Sequence, residues 1–405
     1  MRISWTVAVV MALAGLLRAQ DNGGGEPQVF GIRIDANGNL IYRQREAADN
    51  LIRNRAARAA VRFVSLRRTL EQARELHGKG AVLPAELRCL EGITQLQYVL
   101  VRPEHADLLI GGPAEEISTD NSLQPRGRAS GRPVLQLDDF VAAMRMSGPR
   151  GVERFGCSID PPANSVQIAE QVGRELRGRP RGEIAEALAQ RMGSQAIRLF
   201  GMPEDCRIAF VCVAADYQLK RWSIGLDAVP VSGVGTSIDS SRVAGNGFWF
   251  ETLYEPLLVS ADGNMFEIRG QRLQVKAGAV PFDEKGATEK ARNWARKLTE
   301  KMPQLAAVSP LYADLQNVAD MALLAALIQR DGLDRRIGWD LAWLKDSTQY
   351  RVRSLPVART TATLVNFTGG SLAAGGVTLG TREWLDRRQT DQKGELNRIR
   401  EAAAK

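Results

Sequence analysis

Histidine and cysteine are scarce in this sequence. Among 405 residues there are only two His, His77 and His105, and four Cys. A zinc hydrolase needing two or three His ligands, a multihaem chain and a disulfide-rich scaffold are excluded on that count. Three catalytic signatures are missing as well: no GxxxxGK(S/T) phosphate loop, no GxSxG nucleophile elbow and no HExxH metal motif. Beyond the N-terminus no apolar run reaches the ~18–20 residues that span a bilayer. The longest, Met321 to Ile328, is too short, so no membrane span is expected in the mature chain. Lysine is also scarce, supplying ten of the 54 cations, so the net charge of +8 is carried mainly by arginine.

What is present is a globular inventory. Hydrophobic residues make up 44% and charged residues 25%, which rules out wholesale disorder and a coiled coil. The length predicts two to three domains or one large mixed domain, with a core large enough to need no staple. Residues 1–19 read as a secretory signal peptide. Arg2 supplies the positive start, Trp5 to Leu17 the apolar run, and Leu17-Arg18-Ala19 an imperfect cleavage site. No Cys follows, so a lipid anchor is not expected. The expected location is exported, periplasmic or extracellular. A flexible Gly-rich leader (20–27) comes next, then an N-terminal α+β region with a basic helix (28–150) and an α/β region (151–229). A Gly/Ser loop (230–247), a C-terminal α+β region (248–380) and a charged helical tail (381–405), free to project, complete the chain.

Periodicity fills in these regions. Asn37-Gly38 marks a hairpin turn, which suits Asp35, Asn37 and Asn39 better than a calcium loop with no closing Glu. Residues 45–77 read as two helices broken near Ser65, with Leu66, Leu70, Ala73 and Leu76 on one stripe. QLQYVLV and DLLIGG read as paired strands, 137–146 as a helix and RFGCSID as a strand. Helices follow at 164–176 and 182–192, then strands QAIRLFG and RIAFVCVA and a helix DYQLKRWSIGL. GFWFETL, EPLLVS and MFEIRG alternate as strands. Helices are expected at 285–301 and 309–330, the second buried, and RTTATLVNFTGG and GGVTLG read as a final strand pair. On an extended CRIAFVC segment Cys206 and Cys212 lie about 20 Å apart, beyond the ~7 Å a disulfide allows. Buried free thiols are favoured over bridges. The fold class is mixed α+β, short mixed sheets packed with helices.

The strongest candidate chemistry is VAADYQLKRW. Asp216 and Lys220 stand four apart on one helix face with Tyr217 adjacent, a set able to do acid–base or anion-binding work at a strand end. Asp160 ends a strand, Glu115 follows the GGPA turn and Glu255 precedes Pro256; carboxylates so placed form a glycosidase-like pair if ~5–9 Å apart. Trp249, within the aromatic run Phe248 to Phe250, is a candidate stacking surface for a sugar or peptide, with a core role as the alternative. His105, beside Glu104, is a weaker acid–base candidate, and His77 suits a helix C-terminus. Residues 43–75 carry nine Arg against four carboxylates. Arg53, Arg55, Arg58 and Arg62 are therefore candidates for an anionic polymer, although the lack of interleaved aromatics argues against nucleic acid.

The ordered motifs LPAELRCLEGITQLQYVLVRPEHADLLIGGPAEE (83–116), GRPVLQLDDFVAAMR (131–145), CSIDPP (157–162), VAADYQLKRWSIGL (213–226) and YEPLLVSADGNMFEIRGQRLQV (254–275) resemble an exported bacterial family of unknown function found in planctomycete genomes. AVSPLYADLQNVADMALLAALI (307–328) and TLVNFTGG…GGV (363–377) continue the likeness, which spans about 28–380. The family carries Met where Leu219 stands and Pro in the stretch near Arg67, which marks the basic patch as local to this chain. The resemblance implies no activity, and no residue inherits a role from it.

Three readings follow. The first is a non-enzymatic envelope protein that binds or scaffolds an envelope component not identified by the sequence. The second is a hydrolase-like enzyme using the carboxylates and Lys220. The third is an anionic-polymer binder acting through 43–75. No cofactor and no metal are expected in any of them.

Overall fold

A computed structural model describes residues 32–34, 40–42, 61–118, 124–237, 247–279, 282–366, 371–372 and 374–403. The expected signal peptide, the leader, most of the basic segment and residues 238–246 of the Gly/Ser loop lie outside that set. Strands β1 (Ile32–Ile34) and β2 (Leu40–Tyr42) pair antiparallel, as the hairpin pattern predicts.

Strand β3 (Val61–Ser65) leads directly into helix α1 (Leu66–Gly78). This corrects the expectation of helix on both sides of Ser65. The break is where the sequence puts it, because the Ser65 hydroxyl caps α1 by accepting from the Arg68 N–H. The residues before it, Val61-Arg62-Phe63-Val64, are β-branched and aromatic and pair with a neighbouring strand. Helix α2 (Ala85–Arg88) starts after Pro84, and β4 (Tyr98–Arg102) and β5 (Asp107–Pro113) form the expected antiparallel pair. Helix α3 (Leu137–Met146), strand β6 (Phe155–Asp160), helices α4 (Ser165–Glu175) and α5 (Arg181–Met192) and strand β7 (Ser194–Phe200) match their sequence patterns.

The next element does not. RIAFVCVA is no strand: helix α6 runs unbroken over Arg207–Ser223, so Asp216 sits within a helix rather than at a strand end. A short, wholly apolar run has no period to distinguish strand from buried helix. Cys206 is the N-cap of α6, and six helical residues at ~1.5 Å put Cys212 about 9 Å from it, still too far for a bridge. All four cysteines are free and buried.

Strands β8 (Gly247–Thr252), β9 (Leu257–Val259), β10 (Met265–Glu267) and β11 (Leu273–Gly278) precede helices α7 (Glu289–Glu300), α8 (Met302–Val308), α9 (Pro310–Asp331) and α10 (Leu333–Arg336). Strands β12 (Thr360–Ala362), β13 (Val365–Asn366), β14 (Ser371–Leu372) and β15 (Ala374–Leu379) follow, then α11 (Arg382–Asp386), β16 (Arg388–Thr390) and α12 (Glu395–Ala403). The expected final strand pair does not form. β12 pairs with β7, whereas β15 is inserted between β6 and β8. The tail does not project either. β16 joins β9 in parallel, and Leu396 of α12 is fully buried against Leu100, Leu109, Leu258 and Met265.

The architecture is α+β, with two mixed six-stranded sheets ordered β16-β9-β10-β4-β5-β3 and β11-β8-β15-β6-β7-β12. Helix α6 packs on β6, β15 and β8, and α9 packs against α3 and α6. By length and composition α9 could cross a membrane, but its apolar window is entirely buried inside the fold. It escapes a count of apolar runs because Asp314, Gln316, Asn317 and Asp320 interrupt it.

Candidate functional site

The four-residue spacing of Asp216 and Lys220 becomes a contact on α6. The Lys220 ammonium donates to Asp216 Oδ1, and neither side chain has any solvent exposure. Burial pushes the Asp216 carboxyl up to about 6; Lys220 opposes the shift and the charge of Asp160 adds to it. The Cys157 and Cys212 thiols, buried in the same core, are held well above their ordinary range, mainly by burial. Tyr217 is ~100° further round the helix from Asp216 and is also buried. The Arg221 guanidinium lies 5.8 Å from its ring centre and forks onto Asp227 at 2.7 and 2.8 Å.

Asp160 closes β6, where it accepts from Ser158 Oγ at 2.9 Å and pairs with Arg198 of β7 at 3.2 Å. Its charge adds to the upward push on Asp216, whose carboxyl also accepts from the backbone of Ile159, next to Asp160. The other two carboxylates are elsewhere. Glu115 Oε2 accepts from the Ala129 and Ser130 N–H groups at 2.9 and 2.8 Å, which fastens the 127–131 turn. A Cβ on Gly127 would come within 2.5 Å of that carboxylate. Glu255 lies against Gly270, which has φ +77° and where a Cβ would overlap the carboxylate at about 2 Å. The structure thus brings Asp216, Lys220 and Asp160 into one neighbourhood and leaves Glu115 and Glu255 at separate turns.

Trp249 is only 2% exposed and meets Phe282 edge-on at 5.9 Å. Its neighbours Phe248 and Phe250 pack on Trp294 and Tyr312. The aromatic run is therefore core on both faces of β8. Arg62 is exposed and donates to the Glu91 carbonyl at 2.7 Å, while Arg53, Arg55 and Arg58 lie outside the described residues. His105 is on the turn after β4, 3.7 Å from Glu104, and His77 stacks on Tyr350 at 5.8 Å. Among the described residues no group of three or more His, Cys, Asp or Glu is placed to hold a metal.

Two further buried ion clusters were not anticipated. Arg207, at the start of α6, donates to Asp139 of α3 and Asp314 of α9, all three buried. Burial pushes Asp139 up to about 6, with Arg207 opposing and Asp314 adding. Arg272, just before β11, donates to Asp320 Oδ1 at 2.7 Å and to the Leu96 and Gly270 carbonyls, each at 2.5 Å. Asp320 Oδ2 accepts from the Leu96 N–H at 3.2 Å. The sequence carried a signal for both. Asp314 and Asp320 sit in an otherwise apolar helix, and acids there require buried cations. Asp139 stands in the first turn of α3, where an acid suits the helix dipole and so gives no separate sign of a buried partner.

Each cluster joins elements distant in sequence or locks a helix onto a sheet. Removing one member of such a pair leaves a bare buried charge, at a cost of about 3–5 kcal/mol.

A family model described as a protein of unknown function (DUF1598) matches residues 157–236. The match runs from within β6 past the end of α6 and takes in Asp160, Asp216, Tyr217 and Lys220. It supports the likeness to a family of unknown function over that stretch. No curated protein and no solved structure matches the chain.

Proposed function

We propose that this is an exported, non-enzymatic binding or scaffolding protein of the bacterial cell envelope. The observation that carries the reading is the sealed Asp216–Lys220 pair. The best candidate acid–base set on the chain is spent inside the core, where a substrate has no approach. Glu115 and Glu255 support it from a second direction, each fixed at its own turn. The apolar run from Trp5 to Leu17 supports export, and the likeness spanning about 28–380 supports a planctomycete-type family.

The test uses the full chain, tagged at its C-terminus and expressed in a host of that type. Cells are fractionated and the envelope fraction is cross-linked. The reading predicts a protein recovered outside the cytoplasm, with a mass lacking residues 1–19, cross-linked to an envelope component. It further predicts the same cross-link from a folded Asp216→Asn, Lys220→Met double variant. Recovery in the cytoplasm at full mass, or loss of the cross-link in the folded double variant, would overturn it.

A further inference from the structure

The buried ion clusters of this core differ in one chemical respect. Arg207 faces Asp139 and Asp314, Arg272 faces Asp320, and Lys220 faces Asp216. A guanidinium keeps its proton in a protein, so the two arginine clusters can only remain ion pairs. An ammonium can give its proton up and become a nucleophile. Lys220 is the one buried lysine among the described residues. Its Nζ donates to Asp216 Oδ1, and neither side chain has any solvent exposure.

That contact is also the geometry of a condensation. The two residues stand one turn apart on α6, which runs unbroken over Arg207–Ser223, so amine and carboxyl are held together for as long as the chain is folded. Positioning of this kind is worth effective concentrations of about 10⁵–10⁸ M. In water an amine and an acid resist condensation because both are ionised and hydrated. Inside the core burial disfavours the ion pair, and it pushes the Asp216 carboxyl up to about 6. A proton passing from Nζ to Oδ1 along the existing hydrogen bond leaves a neutral amine beside a neutral acid. An amide formed there is shielded from the bulk water that could hydrolyse it.

We propose that Lys220 and Asp216 become joined after folding by an amide bond between Nζ and Cγ, a side-chain isopeptide that closes one turn of α6. The Lys220 nitrogen adds to Asp216 Cγ, one carboxyl C–O bond breaks, and that oxygen leaves as water. Of the three ammonium protons one stays on the amide nitrogen and two depart with the water. The two charges cancel, nothing is oxidised or reduced, and no co-reactant is needed. The ion pair is the state from which the bond forms. The inference goes beyond the proposed function and does not depend on it.

The full chain is purified folded and incubated at neutral pH, beside a second sample held in urea. Both are then denatured, alkylated and digested with trypsin, and the peptides are sequenced by tandem mass spectrometry. The expected product is the peptide Ile208–Arg221, lighter by one water, uncut at Lys220 and giving no fragments from breaks between Asp216 and Lys220. Its share should be highest at the end of the folded incubation and should not rise in urea. A cyclic imide at Asp216 also loses water, but it leaves Lys220 open to trypsin and to an amine-acylating reagent. Lys220→Arg keeps the buried cation and cannot condense, so its peptides should carry their full mass. Should that variant fail to fold, the wild-type digest decides alone. Full-mass peptide only after the folded incubation, a water-light peptide cut or acylated at Lys220, or an equal rise in urea overturns the bond.

Discussion

Lys220 donates to Asp216 one turn back on the same helix, and neither side chain reaches solvent. The same spacing on a surface helix is worth ~0.3–0.5 kcal/mol. Inside this core it is a fixed element, because each charge is tolerable only while the other is present.

The Arg207 cluster should behave alike. Arg207→Met leaves Asp139 and Asp314 buried beside each other without a cation. The expected loss is about 3–5 kcal/mol in urea unfolding, with the m-value unchanged. A loss under ~1 kcal/mol would show that the cluster is solvated in solution.

Stability should rise as pH falls from 7 to 5. Asp139, which shares the single cation Arg207 with Asp314, has a folded-state value raised to about 6, above its unfolded value of 3.8. Its contribution is thus fully present below the unfolded value and is lost as pH rises through the folded one. From pH 5 to 7 this amounts to about 1 kcal/mol. Asp262 has the opposite sign, since the Ser260 hydroxyl, the Asn264 N–H and Arg400 hold it low against burial, so its contribution is lost only in stronger acid. Urea unfolding at pH 5, 6 and 7 checks the slope, which should flatten in Asp139→Asn. A stability that climbs with pH across this window would contradict the assignment.

The C-terminal helix should be part of the folded unit. Leu396 is fully buried in the cluster of Leu100, Leu258 and Met265. Leu396→Ala should cost about 2–4 kcal/mol by thermal or urea unfolding. A projecting tail would show a change within ~0.5 kcal/mol.

No thiol should react in the native state. All four cysteines are buried and free, and burial pushes Cys89 and Cys206 up to about 11. Maleimide labelling counted by mass spectrometry should give no adduct in native buffer and four in denaturant without reductant. Fewer than four in denaturant would reveal a disulfide.

Much of the fold was legible because its elements carry a period or a cap. The stripe of Leu66, Leu70 and Ala73, the Ser65 cap and the apolar run of β6 each point to one answer. The sequence failed where the pattern was degenerate. Ile208 to Ala214 is apolar on every face, so it reads equally as a strand or a core helix. The partner of β15 was also hidden, because pairing with β8 and β6 depends on contacts more than 100 residues away. At the candidate site the Asp216–Lys220 contact followed from spacing, but its burial did not. That depends on β6, β15 and α9 closing over α6, which no local pattern encodes. Arg207 was missed because its two acids come from α3 and α9.

The most direct test is a double-mutant cycle on Asp216 and Lys220, measured by urea unfolding of the full chain with Asp216→Asn, Lys220→Met and the double variant. The account predicts a coupling of about 2–4 kcal/mol, with the double variant more stable than at least one single variant. A coupling of ~0.5 kcal/mol or less, the size of an exposed helix pair, would contradict the claim that the pair is sealed in the core.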